Sequence, residues 1–548
     1  MTAALVAAGL GLSPITASAA EGPAKPVTPG QAKAGTAGTA GTAAKAAESA
    51  GEKFHSPADR TVRTALPGAG GKAAADHPGL SAEVTGESYS AHRLGLTTKI
   101  TGPDVDLDVV VDWGDGTTEK RTVKGSDEIY GDHVYGEVGQ YVVKVTVTDV
   151  AGGVQAVNQI TFVTSGSEFT PQAPTRLLDT RDGTGTKAGK VAGRGTTRVQ
   201  VAGNSGIPAG ATAVVLNVTV TNTTDGGHVA VYPGKGARPD TSNLNYTAGQ
   251  SVPNLVIVPV GEDGSVELFN GGWSSVDLIA DVTGYFTRTA ASGYTSITPT
   301  RFADTREGLG TAKGRLAGRD TFTTRIDGLK GVPKGITAVA LNVTVTNSAE
   351  AGHLSVFPGG SPTPTASSVN FTAGQTVANS VIVPVGADGS ISVFNGAWAG
   401  ADVIVDVVGH YSKDSKGALR TIDPWRAIDT RDTEAWPGRL PARGYFTQLF
   451  APEPEGVAAF VFNTTVTNTA DSGFLSVVPS PLPWAENTDP AAPKPPRPVS
   501  SALNWTKGAT VPNLVQTGVG EFGIINFWNQ GWKDADLIVD VFGIYETN

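Results

Sequence analysis

Apolar and polar residues alternate at a period of two along most of this chain, in short runs separated by turns. Residues 107–111 (LDVVV) and 141–147 (YVVKVTV) show the pattern, and glycine and aspartate are frequent in the turns between such runs. Alternation of this kind indicates β-strands with one buried face. No segment carries a convincing helical period of about 3.6 residues. The pattern therefore predicts an all-β protein.

The same strand motifs occur three times in the same order. Residues 175–181 (TRLLDTR) return at 300–306 (TRFADTR) and at 425–431 (WRAIDTR), so the step is the same both times. Fixed spacing implies a fixed sheet register, because a slip of one residue would turn the apolar set of a strand to solvent. We expect three homologous domains, each a β-sandwich or a closed barrel, either collinear or packed about a pseudo-threefold axis. Their predicted boundaries are 169–288, 296–413 and 420–548.

Composition and charge narrow the class of protein. The 548 residues are 39% hydrophobic and 17% charged, with 70 glycines and 35 prolines, which suits short strands joined by many turns. The absence of cysteine excludes disulfides, thiol nucleophiles and zinc sites built from cysteine. A net charge of −10 gives no general attraction for nucleic acid or for an anionic membrane surface. We expect neither as a partner.

The N-terminal part differs from the rest. Residues 1–20 contain a small apolar run and an A-x-A sequence at 17–19, which predicts a secretory signal peptide, although no basic residue precedes the run. An alanine-rich disordered tail is the alternative. Residues 21–78 are rich in alanine, glycine, threonine and proline and predict a flexible, disordered tether. No stretch reaches the roughly 18 apolar residues of a transmembrane segment. Together with the predicted signal peptide, this gives an expected location that is extracellular, either secreted or loosely attached to the cell surface.

Two resemblances support this setting. Residues 112–116 (DWGDG), 133–135 (HVY) and 139–145 (GQYVVKV) occur in the order found in PKD domains, and residues 80–165 resemble that family of small immunoglobulin-like β-sandwiches. The resemblance implies a domain at 79–166 with Trp113 in the core, Asp115 in a hairpin turn, and a spacer or binding role without chemistry. The three copies, of about 120 residues each, are similar to repeats of large secreted actinobacterial proteins. No activity comes with that similarity.

An Arg/Asp/Arg cluster opens each copy. Arginine presents planar donors that suit carboxylates, phosphates or sugar hydroxyls, so a ligand site is one interpretation. Because the cluster comes with the domain in every copy, we favour an internal ion-pair lock that fixes how each domain begins. The residues are Arg176, Asp179, Arg181, Arg301, Asp304, Arg306, Arg426, Asp429 and Arg431.

Pairs of aspartates four residues apart lie in the last predicted strand of each copy. In the first copy they are Asp277 and Asp281, which share one face of the strand. With nearby asparagine oxygens they are candidate ligands for calcium, which takes six to eight oxygens, although the loops lack the dense series of Asp, Asn and Gly found in dedicated calcium motifs. Capping of neighbouring backbone N–H groups is the favoured interpretation, and we expect no cofactor.

A tryptophan in a glycine-rich loop of each copy is the best candidate for ligand binding. Each follows an asparagine by three residues, and an aromatic ring beside amides suits a sugar ring. The favoured alternative is a hydrophobic plug over the end of the sandwich. The candidate residues are Trp273, Trp398, Trp532, Asn270, Asn395 and Asn529.

The sequence shows no motif for catalysis, such as G-x-S-x-G, a phosphate loop or H-x-x-x-H. The predicted function is a secreted, non-catalytic binding or adhesion protein that displays three repeated β-domains, with cell-wall or surface glycan or another extracellular protein as partner. The alternative is a structural stalk or a subunit of a larger secreted assembly. An enzyme would need an acid, base or nucleophile unique to one copy, and no such residue stands out.

Overall fold

The computed structural model describes residues 51–67, 79–489 and 491–548. Within them the protein is all-β with several antiparallel sheets, as predicted. The predicted signal peptide and most of the predicted tether lie outside the described residues. Among the residues described, no helix is both long and apolar enough to cross a membrane.

The first domain is a sandwich of two antiparallel sheets. Its sheets have the strand orders β1-β3-β4-β7 and β2-β9-β8-β5-β6, and Trp113, Tyr135 and Phe162 lie in the core between them. A single 3-10 turn, Ala58–Arg60, joins the first two strands. The strands are β1 (Lys53–Ser56), β2 (Val62–Ala65), β3 (Ser81–Ser88), β4 (Arg93–Thr101), β5 (Asp106–Asp112), β6 (Thr118–Lys124), β7 (Asp127–Val134), β8 (Gln140–Asp149) and β9 (Val154–Val163).

Part of the segment predicted to be a flexible tether is folded into this domain. β1 and β2 extend one sheet each, by pairing with β3 and β9. The Phe54 ring packs edge-on against Phe162, with 5.2 Å between the ring centroids. The buried amide of Asn158 donates to the carbonyls of Ser56 and Pro57. The tether prediction is therefore wrong for these residues, since partners distant in sequence supply the burial that the local composition lacks.

Each repeat also consists of two four-stranded antiparallel sheets. We call them the inner sheet (β10-β17-β12-β15 in the first repeat) and the outer sheet (β11-β16-β13-β14), and the other two repeats have the same strand orders. The first-repeat strands are β10 (Glu168–Asp179), β11 (Thr196–Gln200), β12 (Ala211–Thr221), β13 (Gly227–Pro233), β14 (Leu244–Tyr246), β15 (Val252–Pro259), β16 (Ser265–Asn270) and β17 (Asp277–Thr287).

The remaining strands follow the same plan. Those of the second repeat are β18 (Gly293–Asp304), β19 (Thr321–Arg325), β20 (Ala338–Thr346), β21 (Gly352–Pro358), β22 (Val369–Phe371), β23 (Val377–Pro384), β24 (Ser390–Asn395) and β25 (Asp402–Ser412). Those of the third repeat are β26 (Ala418–Asp429), β27 (Tyr445–Leu449), β28 (Val457–Thr467), β29 (Gly473–Pro479), β30 (Leu503–Trp505), β31 (Val511–Thr517), β32 (Ile524–Asn529) and β33 (Asp536–Glu546). A short helix, α1 (Trp484–Thr488), lies in the long loop between β29 and β30.

The inner sheets are buried on both faces. In β12, Val214 and Leu216 point into the sandwich core of the first repeat, whereas Ala213 and Val215 point the other way. The second set belongs to a core that all three repeats share. This explains why the strand reads as a nearly continuous apolar run rather than as a strict alternation.

The shared core has pseudo-threefold geometry. Phe286, Tyr411 and Tyr545 occupy equivalent positions in β17, β25 and β33, and their ring centroids form a triangle with sides of 6.5, 6.4 and 6.3 Å. Phe169 of the first repeat also contacts Tyr411 of the second repeat, with 4.4 Å between ring centroids. Tyr294 contacts Tyr545 of the third repeat in the same way, also at 4.4 Å. One apolar core therefore holds three sandwiches together.

Hydrogen bonds between asparagine side chains close the ring of repeats. In each pair, an asparagine of the β15-type strand donates to an asparagine of the β12-type strand in another repeat. The pairs are Asn379 with Asn217 (3.1 Å), Asn513 with Asn342 (3.2 Å) and Asn254 with Asn463 (3.3 Å). The first repeat thus contacts the second, the second the third and the third the first. The copies are arranged about an axis and are not collinear.

The first domain is docked on this ring of repeats. The backbone N–H of His92 donates to the carbonyl of Asn548 (2.9 Å), and the N–H of Ala91 donates to the Glu546 carboxylate (2.9 Å). The Lys416 ammonium group donates to the carbonyl of Gly136 (3.3 Å). These contacts lie at the carboxyl ends of the closing strands β25 and β33. The first domain therefore covers one end of the ring.

Candidate functional site

The three candidate tryptophans are exposed on equivalent loops. Each loop joins the outer sheet to the closing strand of the inner sheet, as between β16 and β17. Trp273 is 81% exposed, Trp398 82% and Trp532 72%. A side chain that plugs the end of a sandwich would be buried, so the plug interpretation is wrong.

The three candidate asparagines lie behind the tryptophans and are inaccessible. The Asn270 side chain is 0% exposed, and its amide donates to the carbonyls of Val191, Ala192 and Ser274. Its oxygen accepts from the backbone N–H of Gly272 (3.0 Å) and from the Tyr246 hydroxyl (2.8 Å). The amide is thus fully used inside the protein.

The other two copies follow the same arrangement. Asn395 and Asn529 are also 0% exposed, and each donates to carbonyls on both sides of its loop. These asparagines hold the loop in shape, and the direct ligand contact expected of them does not fit the geometry. They position the tryptophan from beneath.

An arginine stacks on each exposed tryptophan, and the sequence reasoning missed it. The guanidinium carbon lies 5.5 Å from the Trp273 ring centroid for Arg194, 5.4 Å from Trp398 for Arg319 and 4.9 Å from Trp532 for Arg443. The three arginines have left-handed backbones, with φ of 61°, 60° and 54°. Their recurrence at equivalent positions of the repeats was the available signal.

The backbone of each stacked arginine is tied to the tryptophan loop. The N–H of Arg194 lies 3.0 Å from the carbonyls of both Asn270 and Gly272, and the guanidinium donates to the carbonyl of Gly271 (3.0 Å). Such bonds fix the left-handed turn, which a non-glycine residue adopts only when its surroundings hold it there. Ring and cation are therefore placed together before any ligand arrives.

A second aromatic ring lies beside each stack, at the end of the outer strand. We call the exposed tryptophan, its stacked arginine and this second ring a platform. Platforms 1, 2 and 3 contain Phe269, Phe394 and Trp528 as the second ring. In platforms 1 and 2 the arginine lies 5.2 and 5.0 Å from the centroid of that ring.

The platforms differ in the residues that border them. His228 packs under the loop of platform 1, where a Cβ added at Gly271 would lie 2.1 Å from the imidazole, so only glycine fits there. Burial is the main cause that lowers the pKa of His228, and the nearby charge of Arg194 lowers it further. His353 takes the equivalent place in platform 2, and Phe474 in platform 3. The platforms therefore share a scaffold and vary at the rim.

Platform 3 receives a further side chain from the long loop of the third repeat. Arg497 lies 5.3 Å from the Trp528 ring centroid and donates to the Gln530 side-chain oxygen at 3.1 Å. It also donates to the backbone carbonyl of Arg443. The long loop between β29 and β30 thus reaches the third candidate site.

The Arg/Asp/Arg clusters form internal ion-pair networks. The Arg176 guanidinium binds Asp281 (2.9 Å) and Asp179 (2.9 Å), and Arg181 binds Asp179 at 2.6 Å. The hydrogen bond from Arg181 holds the pKa of Asp179 below its usual value, whereas burial raises that of Asp281. The network joins the first strand of the inner sheet, β10, to its last strand, β17. The second and third repeats contain the same set of ion pairs.

The aspartate pairs considered for calcium have separate partners. The Asp277 carboxylate accepts from the Thr180 hydroxyl (2.9 Å) and from the Asn222 amide (2.7 Å), whereas Asp281 binds Arg176. The two carboxylates therefore do not converge on one point. The part of the chain that the structure describes holds no group of three or more acidic or histidine side chains placed for a metal ion.

Trp113 and Asp115 have structural roles at one turn of the first domain. Trp113 is buried and stacks on His133, with 4.9 Å between ring centroids. Asp115 accepts hydrogen bonds from Thr117 and from His133 (2.7 Å). Burial acts to raise the pKa of Asp115, but these hydrogen bonds outweigh it and lower the pKa to about 2. Both residues hold the turn between β5 and β6.

Comparison with known proteins does not identify a family. No family model matches the chain, and no curated protein matches it. A SusE-like protein aligns with 35% of this chain and 93% of its own, at 13% identity and a TM-score of 0.11. A structure from Sulfolobus Turreted Icosahedral Virus covers 69% of this chain and 91% of its own, at 9% identity and a TM-score of 0.14.

A third solved structure, from an archaeal virus and described by its triple jelly roll fold and turret assembly, gives 11% identity and a TM-score of 0.15. It covers 70% of this chain and 90% of its own. Scores this low carry no argument about function, which has to come from the site itself.

Proposed function

We propose that this is an extracellular, non-catalytic binding protein that recognises glycan through its three platforms. The observation that carries the proposal is the repeated exposure of a tryptophan ring on a loop that buried hydrogen bonds hold rigid. A large exposed aromatic ring costs solvation free energy unless a ligand covers it, and its flat face matches the apolar face of a sugar ring. All three homologous repeats keep the arrangement.

The placement of the platforms also favours binding. They lie before the amino ends of β17, β25 and β33, whereas the first domain contacts the region around the carboxyl ends of β25 and β33. Each closing strand has 11 residues, which corresponds to about 35 Å. The docked domain therefore leaves all three platforms uncovered. Because the repeats are arranged about a pseudo-threefold axis, the platforms occupy equivalent positions in the ring.

Three weak sites on one rigid body gain affinity together when the target is itself repetitive. The gain comes from a high effective concentration for the second and third contacts. A cell-wall or surface polysaccharide presents such a repetitive target. The closed packing argues against a stalk, since repeats extend a stalk only when they lie end to end. A subunit of a larger secreted assembly is the second candidate.

The test is binding of the full-length protein to a glycan array. We expect the variant W273A/W398A/W532A to lose at least about tenfold in apparent affinity, because stacking at several sites is removed together. W484A is the matched control, since Trp484 is exposed in the long loop of the third repeat and belongs to no platform. Equal glycan binding by the triple variant and the wild type would show that the platforms are not the glycan-binding sites.

A further inference from the structure

The arginines of the three repeats fall into two groups. The repeats contain 17 arginines, and 12 of them have a carboxylate oxygen within 4.0 Å. The other five have no carboxylate partner in the described ranges, and every one of the five lies over an aromatic ring of a platform. They are Arg194, Arg238, Arg319, Arg443 and Arg497.

This division does not follow from a shortage of acidic residues. The chain has 51 acidic and 41 basic residues, and elsewhere in the repeats its arginines find carboxylates. Within the described ranges, the side-chain hydrogen bonds of Arg194, Arg319, Arg443 and Arg497 go to neutral protein oxygens, as that of Arg319 does to the carbonyl of Gly396 (3.3 Å). A guanidinium has five N–H donors in a planar fork that fits carboxylate and phosphate groups. At the platforms most of these N–H donors remain available to a ligand.

Two platforms concentrate the charge further. In platform 1, Arg194 and Arg238 lie 5.2 and 4.2 Å from the centroid of one ring, Phe269. In platform 3, Arg497 is bonded to the backbone of Arg443, and burial together with the charge of Arg443 lowers the pKa of Arg497. Two cations held this close repel each other, and an anion between them would remove the repulsion. Platform 2 has Arg319 alone.

We infer that the ligand is an anionic polysaccharide, whose sugar rings stack on the platform tryptophans while its carboxylate or phosphate groups bind the neighbouring guanidinium groups. This inference rests on the proposed glycan-binding function and names the chemical class of the glycan. A neutral sugar would use the tryptophan and leave five guanidinium groups without a counterion. Platforms 1 and 3 supply two cations each, so they contribute more to binding than platform 2.

The experiment measures binding of the full-length protein to three immobilised polymers at 50 and 200 mM NaCl. Polygalacturonate carries carboxylates, poly(glycerol phosphate) carries phosphates, and dextran is neutral. We expect binding to at least one of the two polyanions that weakens as salt screens the charges, and the stronger polyanion identifies the anionic group. R194Q/R319Q/R443Q should lose at least about tenfold in affinity, since one charge-assisted contact is removed from each platform.

Two further variants keep the test decisive. R93Q/R121Q/R325Q removes the same number of charges at exposed, ion-paired arginines away from the platforms and should bind like the wild type. R194K/R319K/R443K keeps the charge without the planar fork, and we expect its affinity to lie between those of the wild type and the glutamine variant. Thermal unfolding verifies that each variant is folded.

The outcomes separate the two proposals. Binding to dextran alone, or equal polyanion binding by the R194Q/R319Q/R443Q and R93Q/R121Q/R325Q variants, overturns the anionic ligand and leaves glycan binding standing. The absence of binding to these polymers and to every glycan of the array overturns both. Salt-sensitive polyanion binding that depends on the platform arginines supports both.

Discussion

Buried amide groups determine the local geometry on which the exposed residues depend. The Asn270 amide is fully buried, and it donates to backbone carbonyls on both sides of its loop. Asn158 fastens the strand β1 to the first domain in a similar way. In both places one side chain bonds several backbone groups at once, and losing such bonds inside a protein is costly.

Replacing the loop asparagine of one repeat should therefore cost stability. Asn270→Ala removes the side-chain hydrogen bonds to three carbonyls, to the Gly272 N–H and to the Tyr246 hydroxyl, so we expect the free energy of unfolding to fall by about 2–4 kcal/mol. Urea denaturation measures the change. Asn204→Ala is the control, because Asn204 is only half-buried in a loop of the same repeat and its amide donates to a single carbonyl, that of Gln200. A loss below about 0.5 kcal/mol for Asn270→Ala would contradict this interpretation of the loop.

A polar cluster breaks the symmetry of the shared core. The Tyr411 and Tyr545 hydroxyls are 2.7 Å apart, and the Gln516 amide donates to both, at 3.0 and 2.9 Å. The first repeat has Phe286 in the tyrosine position and Ile257 in the glutamine position. A buried polar cluster of this kind contributes more to the choice of neighbours than to stability.

Gln516→Ile should destabilise the protein by about 1–3 kcal/mol, because two buried hydroxyls lose their amide partner. The triple variant Q516I/Y411F/Y545F makes the cluster wholly apolar and should recover most of that loss. Both free energies come from chemical denaturation under the same conditions. If the triple variant is less stable than Gln516→Ile alone, the hydroxyls have a role that the packing does not account for.

At the scale of strands, the inner sheets show what the sequence could predict. Their motifs keep constant spacing in three copies, and constant spacing directly reflects register, as in the pairing of Asn217 with Asp281. The network around Arg176 could be anticipated for the same reason. The internal lock proposed for it agrees with the geometry of the ion pairs.

Other features had no comparable signal in the sequence. β1 and β2 are four residues long and lie among charged residues, so their formation depends on pairing with strands far along the chain. The amides of Asn270 and its equivalents were expected to face a ligand because polarity suggests exposure, whereas the loop turns them inward. The stacked arginines are single residues whose aromatic partners lie about 80 residues away in the sequence, and only the fold brings them together.

Truncation tests the structural role of β1 and β2. A chain that begins at residue 68 lacks both strands and leaves the edges of β3 and β9 unpaired. We expect its first domain to unfold at a lower temperature than in a chain that begins at Gly51 and keeps both strands. Scanning calorimetry measures the two transitions. Equal transition temperatures would show that the added strands do not stabilise the sandwich.

At the scale of the whole molecule, the junction between the first domain and the ring contains a buried histidine. The His92 ring is 1% exposed, and its Nε2 lies 3.2 Å from the Lys416 carbonyl. Its Nδ1 has no hydrogen-bond partner within the described ranges. Lys416, Glu546 and Glu137 are the charged residues whose charges or backbone groups act on it. Burial is the largest effect, and it lowers the pKa of His92 below 6.5.

This burial predicts a pH-dependent stability. The unfolded or undocked chain binds a proton near the ordinary pKa of 6.5 and the docked chain binds one only at lower pH, so stability is complete above about pH 6.5 and falls as the pH drops below it. We expect the unfolding temperature to fall between pH 7.5 and pH 5, and to fall less in His92→Gln. His55→Gln is the control at an exposed histidine. An identical fall in His92→Gln and the wild type would exclude His92 as the cause.

The closed ring also limits how a gene for such a protein can evolve. In a linear array a further copy stacks on the last one, and its length can drift by whole units. Here each inner sheet already meets both of its neighbours through the pairs of Asn217, Asn342 and Asn463. A fourth copy would have no free inner-sheet face to pack against. A chain with two copies would expose the apolar faces that the third copy covers. We therefore expect a change in the number of copies to disrupt the ring, whereas a longer loop between β29 and β30 is accommodated at its rim.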